Sequence, residues 1–244
     1  MRYYQNFKRL FGDMCVMVVA ALLLSVSLVS CDEHEPVDLG IHPGHILLAD
    51  GNVVNKDEYF NRGDSTAVGI IFSEMIDNEY YLAVMLNELP PLQFCDSLLG
   101  MVQGTSCDIT ALDGRTNTIA LWNSFDNKTF HGSPLANAAY SAHEYGMSDF
   151  IPSVAEMKML YAQRGTVNSI IERLNEQDPR YAAVPLSTDR ASDDCWYWTS
   201  TEVKDNQALQ AWLFSLNSGT AHETGKEKVH HARKVYVYNP YKSN

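Results

Sequence analysis

Basic side chains are scarce in this chain: 18 Lys and Arg stand against 30 Asp and Glu, a formal net charge of −12. A nucleic-acid surface needs many Lys and Arg to neutralise phosphates, so this balance argues against nucleic acid as a partner. The sequence has no CxxC, no HExxH and no nucleophile elbow. The commonest marks of redox, zinc-protease and hydrolase chemistry are therefore missing. No EF-hand loop is present either, and the spacing of His222, His230 and His231 is no metal signature. These absences predict a chain that is not an enzyme and needs neither metal nor cofactor. Repeats of fixed period are also lacking, which excludes solenoids and arrays. Long apolar runs occur once, before residue 30.

That run defines the first segment. Arg2, Lys8 and Arg9 precede an apolar stretch over residues 16–29, the pattern of a secretory signal peptide. The stretch is shorter than the roughly 20 residues of a membrane span. Its end, LVSC at 28–31, resembles the lipobox of bacterial lipoproteins. The resemblance implies removal of residues 1–30, lipid on Cys31 and the membrane as a partner through it. Residues 31–43 are acidic, aperiodic and end at the breakers of GIHPGH, as a tether does. This acidic start resembles the export signal that takes Bacteroidetes lipoproteins to the outer surface. An aspartate after the cysteine in enterobacteria would imply inner-membrane retention instead. The expected location is the outer membrane or cell surface.

Removing residues 1–30, which carry three basic residues and Asp13, leaves 214 residues with a net charge of −14. That length suits one generous core or two small ones. Cys95, Cys107 and Cys195 remain as thiols. Cys95 and Cys107 flank a short glycine-containing segment, so they either close a loop in an oxidising compartment or stay reduced.

Along the mature chain, HILLADGNVV at 45–54 predicts a hairpin about Asp50-Gly51. Residues 68–72 and 80–86 read as further strands around a turn at Asp77-Asn78. Pro90 and Pro91 break the pattern, and a weakly structured segment follows. Helices are expected at 133–145, with Ser133 as N-cap and Pro134 in the first turn, and at 153–162, with a capping box from Ser153 to Glu156. A third is expected at 166–175, with Val167, Ile170, Ile171 and Leu174 inward. His143 reads as a packing residue. WYWTS, QAWLFSL and RKVYVYN then read as three members of one antiparallel sheet, with a turn at 217–219. Strands, grouped helices and strands again predict an α+β domain over 44–244, β-rich over 44–109.

DDCWYWTSTE at 193–202 is the densest motif. Alternation puts Trp196 and Trp198 on one side and Cys195, Tyr197 and Thr199 on the other. Both faces are expected to be buried, with Trp212 packing against either tryptophan and the hydroxyls bonding backbone groups nearby.

GRTNT at 114–118, DFIPSVAEMKMLY at 149–161, YWTSTE at 197–202, AW at 211–212, Gly219, Lys226 and residues 233–235 together resemble the C-terminal domain of the Lcl adhesin family over 110–237. The resemblance implies a C-type-lectin-like fold: antiparallel sheets with two or three grouped helices. One departure is Asp149, which stands where the family usually has an aromatic residue. The family and the lipobox together imply an anchored, non-catalytic binding or adhesion module whose partner is a glycan or a surface protein. A structural or accessory subunit of a surface assembly is the alternative. Loops at 119–132 and 186–195 form the expected recognition rim, with Trp122, Asp189, Asp193, Asp194 and Glu202 as ligand-binding candidates. A third reading, a carbohydrate-active enzyme, would pair Glu156 with Glu202 as catalytic carboxylates. Against it, the capping box already uses Glu156, and Glu202 suits holding a loop.

Overall fold

The computed structural model describes residues 40–62, 65–96, 102, 104–124, 131–141, 149–189 and 193–241. The expected signal segment, Cys31, the expected tether up to residue 39 and His143 lie outside the described residues. Gly40–Asn244 form one compact unit. Among the described residues, no helix is long and apolar enough to cross a membrane.

The chain is α+β. Its strands are β1 (Ile46–Leu48), β2 (Val53–Val54), β3 (Ala67–Ile71), β4 (Tyr81–Gln93), β5 (Asp149–Phe150), β6 (Trp196–Glu202), β7 (Gln210–Ser215), β8 (Ala221–Gly225) and β9 (Val229–Tyr238). Among the described residues, four α-helices accompany them: α1 (Lys56–Arg62), α2 (Gly114–Asn123), α3 (Pro134–Ser141) and α4 (Val154–Gln177). The strands run in the order β2-β1-β3-β4-β9-β6-β7-β8, with β5 also pairing β9. Among the described strands, all pairings are antiparallel except β6 with β9, which meet in parallel at Tyr197 and His231. The last three expected strands are thus not one antiparallel set, because β9 crosses back to lie between β4 and β6.

Helix α4 lies on one sheet face, placing Met157, Leu160, Val167, Ile171 and Leu174 against Ile70, Leu82, Val84, Tyr197 and Val235. Helices α2 and α3 cover the other face, where Leu121, Leu135 and Ala139 meet Trp198, Leu213 and Ala232. A central strand buried on both sides explains the run of aromatic residues in β6.

The structure departs from the expected elements in instructive places. The helices expected at 153–162 and 166–175 are one, since the apolar stripe continues in phase across Gly165. Glycine costs a helix interior about 1 kcal/mol, which the packing on either side outweighs. Strand β4 runs through Pro90 and Pro91. The register shifts between Leu89 and Leu92, so prolines without an N–H fall where the ladder is already interrupted. Residues 119–123 of the expected rim loop are helical, 125–130 lie outside the described residues, and α1 and β8 carry no expectation from the sequence. The expected hairpin at β1 and β2 forms with Leu47 opposite Val53. Asp77 and Asn78 both take positive φ, the backbone of a type I′ turn.

Trp212 does not pack against the two tryptophans. Trp198 is paired with Leu213 across the strands, so its neighbour Trp212 points to the opposite face, where it joins the α4 side. Cys95, Cys107 and Cys195 are free thiols.

Candidate functional site

The parallel contact between β6 and β9 assembles the site. It brings the 3-10 turn Asp193–Cys195, which leads into β6, beside His230 and His231 at the start of β9. His231 lies between two carboxylates: Nδ1 is 2.7 Å from Glu88 Oε1, and Nε2 is 3.6 Å from Asp194 Oδ1. Glu88 in turn faces Arg233 at 2.9 Å. Arg233 is fully buried, and its guanidinium donates to the carbonyls of Leu86 at 3.2 Å, Pro185 at 2.9 Å and Val184. A buried guanidinium surrounded by acceptors holds the Glu88 carboxylate that it faces in a fixed position.

The aromatic rings of β6 divide by exposure. Tyr197 and Trp198 are buried. Tyr197 accepts a hydrogen bond from the Ser187 N–H at 2.8 Å, and burial pushes its hydroxyl up to about 12. The Trp198 indole donates to the Leu92 carbonyl at 2.8 Å, with its ring edge-on to Phe94 and His230 at 5.3 Å each. Burial lowers the pKa of His230, partly offset by Asp193. Trp196 is only half-buried, its ring 5.9 Å from that of His222. Asp193 and Asp194 are exposed beside it. The outer layer is thus an indole face and an imidazole next to two carboxylates.

The candidates from the sequence are distributed unevenly. Asp193 and Asp194 belong to this face. Asp189 is exposed at the end of the described segment 149–189, and residues 190–192 of the rim lie outside the described residues. Trp122 is 37% exposed on α2 and stacks on Tyr140 at 4.7 Å. Glu202 is not on a rim at all. It is fully buried, paired with Lys226, and accepts the Thr105 hydroxyl at 2.5 Å. The same pocket holds Cys95, whose thiol burial pushes up to about 12. Burial keeps that thiol protonated and a poor nucleophile. Glu156 is buried too, accepting the Ser153 N–H at 2.7 Å. Both carboxylates of the catalytic-pair reading are thus bonded to the protein's own donors.

Sequence reasoning missed Glu88, Trp196, His222, His231 and Arg233 as site residues. Glu88 left a signal, as the single acid in the otherwise apolar run YYLAVMLNELPPL. Among the described residues, no group of three or more His, Cys, Asp or Glu is placed to hold a metal ion. Comparison of the chain with protein-family models and with curated proteins found no match.

Proposed function

We propose that this chain is a lipid-anchored surface lipoprotein whose lectin-like domain binds glycans without transforming them. The carrying observation is the half-exposed Trp196, its ring beside that of His222, with the exposed Asp193 and Asp194 just before it in the chain. The C–H face of a sugar ring stacks on an indole, while carboxylates accept its hydroxyl hydrogens. The acidic edge selects neutral sugars over anionic ones. Support for the lectin-like reading comes from the way two of the family-like motifs meet. The Ser200 N–H of YWTSTE donates to the Pro152 carbonyl at 2.8 Å, and the Val154 N–H donates to the Thr201 hydroxyl at 3.2 Å. The buried Asp149, at the departure from the family pattern, is paired with Lys234 at 2.8 Å. An ion pair takes the place of the aromatic support there.

The test is a glycan array probed with the full chain in detergent. A neutral glycan is expected to bind, and Trp196→Ala and the double variant D193N/D194N should each weaken it at least tenfold with little change in melting midpoint. Absence of any bound glycan, or unchanged binding in both variants, overturns the reading. Co-purification of a stoichiometric surface assembly, with no glycan bound, would favour the accessory-subunit alternative. Cys31→Ser should abolish metabolic lipid labelling; retained labelling would refute the anchor.

A further inference from the structure

A second recess, built from different residues, lies along the middle of α4. It measures about 500 Å³ and is lined by Arg164, Gly165, Thr166 and Asn168 from the helix, with Thr188 and Asn217 from beyond it. Its walls are tied down by side-chain amides. Asn168 exchanges two hydrogen bonds with the backbone of Leu186, at 2.9 and 2.7 Å. Further along the helix, away from the recess itself, Asn175 does the same with Ala183, at 2.8 and 2.9 Å. The Asn217 amide donates to the Thr188 carbonyl. The groove is therefore formed before any ligand arrives, which spares a ligand the cost of ordering it. Gly165 leaves its floor open, since a Cβ added there meets nothing within 4 Å.

Arg164 supplies the chemistry. Its guanidinium lies 3.8 Å over the Tyr161 ring, and Nη1 donates to the Tyr161 carbonyl at 2.7 Å. The turn at Gly219 backs the same ring, so closely that a Cβ there would fall 2.6 Å from it. Stacking and hydrogen bonding hold the cation in place. Arg62, Arg180 and Arg233 each face a carboxylate. Arg164, among the described residues, has none within ion-pair distance. Arg173, 4.0 Å over the Phe60 ring, also has no acid partner among the described residues, but it is Arg164 that lines this recess. The remaining N–H donors of Arg164 suit a carboxylate. The surrounding Thr166 and Thr188 hydroxyls and the absence of large apolar side chains from the lining suit a hydroxylated body, and the volume falls in the usual range for small-ligand sites. A single guanidinium matches one negative charge; a phosphate dianion in so acidic a chain would need more cations.

We propose that this groove binds a carboxylate-bearing saccharide, Arg164 holding the carboxylate and the threonines the ring hydroxyls. The proposal stands on its own residues and does not depend on the Trp196 face. The test titrates the full chain in detergent with a galacturonic acid trimer, a galactose trimer and inorganic phosphate, followed by saturation-transfer NMR and calorimetry. The uronate trimer alone is expected to bind. Arg164→Gln should weaken it at least tenfold. Gly165→Gln, a better helix former whose side chain occupies the floor, should abolish binding with a melting midpoint at or above that of the unaltered chain. Trp196→Ala should leave uronate binding unchanged, which separates this groove from the neutral-glycan face. The proposal is overturned by a failure of the unaltered chain to bind the uronate, by equal binding of the galactose trimer or phosphate, or by binding that survives both groove variants.

Discussion

Glu156 has two roles that pull its proton in opposite directions. As the third residue of α4 it completes the capping box with Ser153, and it also accepts the Gly114 N–H. Those N–H donors favour the carboxylate. Burial opposes them and wins, raising the group to about 7. A carboxyl group raised above its unfolded value stabilises the fold fully below about pH 4.5, and the contribution is lost as pH rises through about 7. The loss is on the order of 3 kcal/mol. Glu156→Gln keeps an acceptor for the same N–H groups without a titrating proton. Chemical denaturation at several pH values should therefore show the stability of the unaltered chain falling relative to Glu156→Gln between pH 4.5 and 7. A constant difference would refute the assignment. The two tryptophans of β6 make a second residue-scale contrast. Trp198→Ala removes a fully buried ring and should cost about 3–5 kcal/mol. Trp196→Ala, on the half-exposed side, should cost much less. Equal losses in thermal melts would contradict the division into a core ring and a surface ring.

At the scale of elements, α4 shows how a local rule and a tertiary one share a helix. Its start follows from Ser153, whose side chain accepts from the Glu156 N–H while its hydroxyl donates to the Ala111 carbonyl at 2.8 Å. Its passage through Gly165 follows from packing. The stripe from Met157 to Leu174 needs one continuous cylinder against the sheet, and Gly165 faces away from it. Gly165→Ala should then stabilise the protein by about 0.5–1 kcal/mol, because a methyl group there meets nothing and the unfolded chain loses freedom. A lowered midpoint in a thermal melt would mean that the glycine meets a steric demand. The capping box is legible in the sequence because it spans four residues. The join across Gly165 is not, because the sheet that supports it is made of strands far away in the chain.

For the whole molecule, the end of the chain acts as a register pin. Lys226, Arg233 and Lys234 are all buried, and each meets a carboxylate from a distant element: Glu202, Glu88 and Asp149. A one-residue slip of β9 would bring the last two pairs out of register and send its side chains to the wrong faces. Breaking one such pair leaves a buried charge without a partner, which costs about 3–5 kcal/mol. Lys226→Met should pay that penalty against Glu202, and adding Glu202→Leu should recover most of it. Urea denaturation of the single and double variants measures both. A double variant no better than the single would mean that the ion pair contributes more than mutual neutralisation.

What the sequence by itself determined is local: the turn at Asp77-Asn78, the capping box at Ser153, the alternation that separates Tyr197 from Trp198, and the α+β order of elements. Each depends on residues a few positions apart, where sterics and hydrogen bonding act without the rest of the chain. The tertiary structure alone decided that β9 lies between β4 and β6, that Trp212 faces α4, that Glu202 is buried on Lys226 and that Asp194 stands beside His231. Those outcomes rest on pairings between residues well separated in the chain. Burial makes such pairings decisive, because a charge withdrawn from water must find its partner wherever the fold has placed it.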